Sequence, residues 1–157
     1  MGIAWSGLKD HWVLLDIQRI RYSKMNSIGN PLLPNLKTAQ LGDDNGAGFG
    51  WDDMTIIKLG WQWQQTPSQT WRAGVSYGEN PISSEDVLLN IMAPGTQEWH
   101  FTGGFTHSFS ENLEASGMAY FSPAKKVSGP NPLAANQRIE MTMGQQVGAS
   151  ISVGWKF

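Results

Sequence analysis

A two-residue alternation of apolar and small polar side chains is the feature that most constrains this chain, and it is clearest over residues 141–157. Odd positions there are apolar apart from Gln145, whereas even positions carry Gly, Ser, Thr, Gln and Lys156. Successive side chains of a β-strand point to opposite faces of the sheet. The segment therefore predicts one continuous final strand with an apolar face and a small polar face.

The same alternation recurs upstream. It predicts strands over residues 2–6, 12–24, 53–64, 70–79, 97–109 and 113–122. Over residues 12–24 the pattern is blurred, because Arg19 and Arg21 share a face with apolar side chains. This irregularity predicts a β-bulge, or a strand that extends beyond a membrane.

The connectors between these segments alternate in length. Short turns are expected over residues 7–11, 65–69 and 110–112, and long loops over residues 25–52, 80–96 and 123–139. Outer-membrane β-barrels have short periplasmic turns and longer extracellular loops. Strands of about ten residues would also span the roughly 25 Å apolar band of such barrels. The sequence thus predicts an all-β fold, a transmembrane antiparallel up-and-down β-barrel.

Composition agrees with this class and excludes others. Charged residues make up 15% of the chain, which is low beside the roughly 25% of soluble domains. The chain contains no run of about 18 apolar residues, so no membrane-spanning helix is predicted. The net charge of -2 gives no basic surface for nucleic acid. Without cysteine the chain has neither a disulfide framework nor thiolate chemistry.

A soluble β-sandwich or lipocalin-like barrel would also alternate, and is the main alternative fold. Such a sheet turns its charged face to water, whereas the polar positions here are mainly Gly, Ser, Thr and Gln. The 8 Trp residues could instead form a sugar-binding platform. The aromatic side chains cluster at strand ends, which favours two membrane-interface girdles. The expected rims are Trp61, Trp63, Trp71, Phe109, Trp155 and Phe157 on one side and Tyr77, Trp99 and Phe121 on the other.

Three motifs in order resemble one known family. They are D-I-Q then Y-S at residues 16–18 and 22–23, G-F-G-W-D-D then L-G at residues 48–53 and 59–60, and W-R-A-G, Y and N-P-I at residues 71–74, 77 and 80–82. This series is similar to that of the FadL/TodX family of outer-membrane transport proteins, the long-chain fatty acid and hydrocarbon channels. The resemblance spans nearly the whole chain.

The resemblance implies a barrel of about 14 strands, of which residues 1–157 would form about the last seven. The chain would then be the C-terminal half of one barrel domain, with an N-terminal hatch and the first strands missing. The implied location is the bacterial outer membrane, in contact with lipid and lipopolysaccharide. Phe157 would be read by the barrel-assembly machinery.

The function implied by the resemblance is passive uptake of hydrophobic solutes, with long-chain fatty acids the leading candidates. The alternative is a general or substrate-specific diffusion porin for small polar solutes. Both readings describe a monomer that is not an enzyme and has no cofactor. A triad of Ser108, His100 and Glu98 can be drawn on paper, but near neighbours on one strand face do not give triad geometry.

Candidate ligand-binding residues come from the polar, lumen-facing positions. The ionisable groups predicted there are Lys58, Arg72, Glu98, His100, Glu114 and Lys156. A carboxylate ligand in an apolar lumen needs a cation, so Lys58 and Arg72 are the main candidates, with His100 as a third. The alternative is that these groups form internal ion pairs, for instance Arg72 with Glu114.

The predicted loop 80–96 contains a second candidate site. Ser83 and Asp86 are typical of a helix start, and an apolar stripe follows at Val87, Leu88, Ile91 and Met92. We expect Leu88, Ile91 and Met92 to form an apolar landing site for ligand, unless the stripe packs on neighbouring loops. The acidic segment 42–46 lacks calcium-loop spacing, so no metal site is predicted.

Overall fold

A computed structural model of the chain describes residues 1–40, 42–134 and 136–156. Its main element is an antiparallel sheet of seven strands. They are β1 (Gly2–Trp5), β2 (His11–Ile20), β3 (Met54–Thr66), β4 (Gln69–Gly78), β5 (Trp99–Ser108), β6 (Leu113–Ser122) and β9 (Gln146–Trp155). Strands β1 to β6 lie in chain order and β9 follows β6, so the predicted all-β antiparallel fold is confirmed.

A second, two-stranded sheet is formed by β7 (Lys125–Pro130) and β8 (Arg138–Met143). Short helices occupy the connectors: α1 (Asn26–Gly29), α2 (Asn35–Thr38) and α3 (Val87–Asn90), with 3-10 turns at Tyr22–Lys24 and Ser84–Asp86. Within the described residues, no helix is long and apolar enough to cross a membrane.

The predicted irregularity in the second strand is not a bulge. β2 pairs with β3 from His11 to Ile20 and with β1 from Val13 to Asp16, in both cases without any shift of register. The strand simply ends earlier than residue 24, because a 3-10 turn begins at Tyr22. The register shift lies instead in β3, between Gln64 and Thr66.

The prediction of one continuous strand over residues 141–157 is wrong. The segment divides at Gly144 and Gln145 into β8, which pairs with β7, and β9, which pairs with β6. The predicted loop 123–139 accordingly holds β7 and the first two residues of β8, and so belongs to a β-hairpin. Gln97 donates a side-chain hydrogen bond to the Gly144 carbonyl at 2.9 Å and secures the junction. Alternation continues through the junction because both halves are strands; only their partners differ.

The hydrophobic core lies outside the seven-stranded sheet. Residues 21–53, 79–98 and 123–145 join strands at one end of the sheet, and together we call them the cap. Among the described residues, the buried apolar side chains are Ile82, Val87 and Met141, and Trp51, Val127 and Ile139 pack against them. All six belong to the cap. The sheet therefore presents two open faces rather than one side of a core.

Candidate functional site

The apolar face of the sheet is continuous across all seven strands. One row of directly opposed residues consists of Ile3, Leu15, Leu59, Val75, Phe101, Phe121 and Val147. Large apolar side chains on this face of β2 to β6 are typically 37% to 48% exposed, and Ile151 on β9 is 85% exposed. Soluble monomers rarely expose apolar patches beyond a few hundred Å². This face therefore resembles an interaction surface.

Within the described residues, aromatic rings form a band at each end of the apolar face, as the sequence predicted. Near the cap, Tyr77, Trp99, Phe101 and Phe121 follow one another with centroids 4.8, 6.0 and 6.4 Å apart.

At the opposite end Trp61 stacks on Trp63 at 6.2 Å, and the Trp61 indole N–H donates to Nδ1 of His11 at 3.1 Å. Trp71 packs on Phe105 at 5.7 Å. The predicted rim residue Phe157 lies outside the described residues.

Four transverse rows of directly opposed side chains cover the middle of the polar face, between a row at Gln18, Ile56 and Gly78 next to the cap and a row at Ser108, Glu114 and Gly154 at the other end. The first of the four contains Asp16, Lys58, Ser76 and His100. The next contains mainly Leu14, Gly60, Gly74 and Thr102; the third contains Gln62, Arg72, Gly104, Met118 and Ser150; the fourth contains Gln64, Thr70, Thr106, Ser116 and Ser152. Hydroxyl groups and glycines thus dominate this face.

A depression of about 580 Å³ lies over the first two rows, and we call it the Lys58 pocket. Lys58 Nζ lies 3.8 Å from Asp16 Oδ2 and donates a hydrogen bond to Gln18 Oε1 at 3.3 Å. His100 and Ser76 line the same pocket. Sequence reasoning missed Asp16 because the face assignment of residues 12–24 was blurred; the regular register of β2 places it directly opposite Lys58.

A second depression, of about 380 Å³, lies over the third and fourth rows, and we call it the Arg72 pocket. Arg72 donates from Nε to Gln62 Oε1 and from Nη1 to Thr106 Oγ1, both at 2.8 Å. Within the described part of the chain, no carboxylate lies within ion-pair distance of Arg72. The ion pair considered with Glu114 is absent there, because Glu114 lies beyond the fourth row, opposite Ser108 and Gly154.

The remaining ionisable groups are not gathered at these pockets. Glu98 accepts a hydrogen bond from Lys125 Nζ at 2.7 Å and so joins the start of β5 to the cap hairpin. Lys156 follows the end of β9, where its backbone N–H donates to the Asn112 carbonyl at 2.9 Å. The structure thus brings Lys58 and His100 to one pocket and Arg72 to another.

The predicted landing site in loop 80–96 is divided. The helix start is where the sequence indicated, since Ser83 Oγ accepts from the Glu85 backbone N–H at 3.3 Å. The apolar stripe then separates: Val87 is fully buried and Leu88 is half-buried, while Ile91 and Met92 are 51% and 82% exposed.

One buried amide, Asn90, ties the cap together. Its Oδ1 accepts from the Trp51 indole N–H at 2.5 Å, and its Nδ2 donates to the carbonyls of Phe49 and Asp86 at 2.7 and 2.8 Å. Asp86 in turn accepts from the Leu32 backbone N–H. Sequence reasoning missed Asn90, because two of its three partners lie about forty positions away and leave no local pattern.

The charge of Arg19 is balanced by an acidic side chain at the junction between the cap and the sheet. Asp53 lies immediately before β3, with Arg19 Nη2 3.6 Å from its carboxylate. Hydrogen bonds from the side chain and backbone N–H of Ser23, assisted by Arg19, hold the pKa of Asp53 below its usual value. The guanidinium that blurred the sequence pattern is therefore neutralised at the end of the sheet.

Comparison with known proteins assigns neither a family nor a function, because no family model and no curated protein matches the chain. No group of three or more His, Asp or Glu side chains within the described ranges is arranged to hold a metal ion. The two pockets on the polar face and the exposed apolar face are thus the features on which a function can be argued.

Proposed function

We propose that this chain is part of the wall of a closed β-barrel in a bacterial outer membrane, and that the barrel passes hydrophobic solutes, long-chain fatty acids foremost, without energy input. The observation that carries the proposal is the uncovered apolar face across seven strands. Apolar surface left in water costs about 25 cal/mol per Å². Contact with lipid removes that cost, and lipid with lipopolysaccharide would surround this face.

The two sheet edges support closure with further strands. In an antiparallel meander of seven strands, β1 and β9 run in the same direction. Unpaired backbone groups are costly in lipid, at several kcal/mol each, so the edges need partners. A fully antiparallel closed barrel has an even number of strands, so this sheet requires an odd number of additional ones. The barrel of about 14 strands implied by the family resemblance, with about seven more, meets that condition.

The polar face supports an amphipathic solute rather than a polar one. A pore for small ions or sugars is commonly lined by rings of charged side chains. Charges on this face are few: Asp16 and Lys58 neutralise each other, and Arg72 stands in a separate pocket among hydroxyl groups. The Lys58 pocket is otherwise largely apolar, with Ala4, Leu14 and three glycines in its lining. We propose Lys58, Arg72 and His100 as the residues that meet the solute's head group.

The cap supplies the proposed entry. Ile91 and Met92 are exposed on the loop between β4 and β5 and offer an apolar surface next to the sheet's end. Leu88 is half-buried, so it contributes less to this surface and more to cap packing. The barrel would act as a monomer, without a catalytic step or cofactor.

Reconstitution of the protein into liposomes tests the proposal. We expect transfer of labelled oleate across or into the vesicles, and little swelling in response to sugars. Swelling with sugars and no oleate transfer would favour the diffusion-porin alternative. A protein that stays in the aqueous phase and does not enter lipid would overturn the membrane assignment itself.

A further inference from the structure

We propose that the cap hairpin, formed by β7 and β8, is a hinged strap that covers part of the apolar entry surface and swings away when a solute enters. The inference rests on the proposed function and adds a regulating element to its entry site. The juxtaposition that carries it is a gap in a two-stranded ribbon beside the buried half of an apolar stripe.

The hinge is a gap in an otherwise continuous ribbon. Ser122 of β6 lies opposite Gln146 of β9. Three residues further along, Lys125 of β7 lies opposite Met143 of β8, so both ladders keep one register. The positions between the two pairs belong to no ladder, and they are Pro123, Ala124, Gly144 and Gln145. Because pairing stops at the same level on both strands, the cap hairpin can turn as one body about this gap.

Few contacts restrain the gap itself. Pro123 has no N–H with which to extend a ladder. Gly144 lies in open space, since an added Cβ would meet no heavy atom within 4 Å. Gln97 Nε2 donates to the Gly144 carbonyl at 2.9 Å, but this hydrogen bond is exposed. Water can replace such a bond at little net cost, so rotation at the gap is opposed mainly by what the hairpin packs against.

The cap hairpin packs on the loop between β4 and β5, residues 79–98, which we call the entry loop. The side chains in this contact are Val127, Ile139 and Met141 of the hairpin and Ile82 and Val87 of the loop. The hairpin thereby divides the apolar stripe that the sequence showed. Val87 is fully buried, whereas Met92 at the far end of the stripe is 82% exposed. The hairpin therefore occupies the part of the stripe that a solute would otherwise contact.

Two further contacts hold the cap hairpin on the entry loop. Gly129 approaches so closely that an added Cβ would collide with the Ser84 carbonyl oxygen, which is a reason for glycine at this position. Beside the hinge, Lys125 Nζ lies 2.7 Å from Glu98 Oε2, and the two side chains are 37% and 18% exposed. Ion pairs in contact with water contribute little net stability. The strap is thus closed by contacts that a competing ligand can replace.

An apolar solute can offset the cost of opening. Swinging the hairpin away exposes the apolar side chains of its contact with the entry loop, which is unfavourable in water. A solute that binds over Val87 covers part of that surface again. Solute binding and opening therefore favour each other. In the open form, the entry loop presents one continuous stripe from Val87 to Met92 at the end of the sheet.

A cleavable cross-link tests whether the strap must open. Because the chain has no cysteine, Glu98→Cys with Lys125→Cys can be joined specifically by a short thiol-reactive linker that contains a disulfide. We expect the linked protein, reconstituted in liposomes, to transfer labelled oleate at least about fivefold more slowly than the same protein after reduction. The matched control is Lys126→Cys with Glu140→Cys, an ion pair of 2.8 Å within the hairpin, whose cross-link leaves the hinge free.

Gly129→Ala tests the opposite change, because the added methyl group pushes the hairpin off the entry loop. We expect oleate transfer to rise about twofold or more, with faster hydrogen exchange in residues 84–92 and 125–143. Strands β3 to β6 should remain protected, which shows that the sheet is folded. Gly103→Ala is the control, since a Cβ there also meets no heavy atom within 4 Å.

Several outcomes would overturn the strap. Equal slowing by both cross-links, or no slowing by the link between positions 98 and 125, would show that the hairpin need not move. Faster exchange in Gly129→Ala without faster transfer would show that the uncovered stripe is not used by the solute. If the unaltered protein transferred no oleate, the proposed function would fail as well. If it transferred oleate and the cross-links made no difference, only the strap would fail.

Discussion

The cap and the sheet of this protein are stabilised in opposite ways. The cap contains every fully buried apolar side chain of the described residues and has Asn90 hydrogen-bonded at its centre. The seven-stranded sheet has complete backbone pairing between neighbours but leaves large apolar side chains exposed on one face. The cap is thus packed as in a water-soluble protein, whereas the sheet depends on whatever covers its apolar face. Substitutions that affect one region and spare the other test this comparison.

The largest effect is expected from a charge placed in the cap core. Val87 is fully buried, so Val87→Asp should destabilise the cap by about 4 kcal/mol or more through an unpaired buried carboxylate. Hydrogen exchange should accelerate in the three cap segments while strands β3 to β6 remain protected. Ile91→Asp, at an exposed position of the same loop, is the control. Equal loss of protection in the sheet would show that the two regions are one cooperative unit.

A charge on the apolar face of the sheet comes next. Ile151 and Ser150 are neighbours on β9 and point to opposite faces. In lipid, Ile151→Arg should cost about 2–4 kcal/mol and Ser150→Arg much less. Denaturant unfolding of the protein in vesicles measures both. Since Ile151 is 85% exposed in the chain alone, a soluble sheet would tolerate both changes equally, and that result would contradict the membrane assignment.

The amide at the centre of the cap should have an intermediate effect. Asn90→Ala removes three hydrogen bonds and leaves the Trp51 indole N–H and two carbonyls without their partner. A loss of about 2 kcal/mol in cap stability is expected, seen as altered Trp51 fluorescence and faster proteolysis of the loops. Asn35→Ala, which removes an exposed hydrogen bond to the Asn45 carbonyl and a longer, partly buried one to the Gly46 carbonyl, should change less. Comparable effects from both variants would argue against a central role for Asn90.

The smallest effect is expected from pH at the junction between cap and sheet. Since the folded pKa of Asp53 is lowered, its ionised form stabilises the fold above the ordinary carboxyl pKa. That contribution is lost as the pH falls from about 4 through the lower folded pKa. Asp53→Asn should flatten the acid limb of a Trp fluorescence titration. An unaltered acid limb in the variant would assign the pH dependence to other carboxylates.

The sequence predicted the candidate site only in part. The two-residue alternation along each strand placed Lys58, Arg72 and His100 on one face, as the pairing registers confirm. Alternation says nothing about which residues of neighbouring strands lie side by side. It therefore did not show that Asp16 lies opposite Lys58, or that no carboxylate of the described residues lies within ion-pair distance of Arg72. The stripe at Val87 to Met92 was visible, but burial of Val87 and exposure of Met92 depend on the hairpin that packs on one side of the helix.

By itself the sequence determined the positions of most strands, the division into an apolar and a polar face, and the aromatic bands, because alternation is a local property of an extended chain. Tertiary structure alone decided that residues 141–157 form two strands with different partners. It also decided that Asn90 joins distant loops and that Lys58, not Arg72, is neutralised. Each of these depends on contacts between residues far apart in the chain, and a repeat of two residues carries no information about which strand will lie beside which.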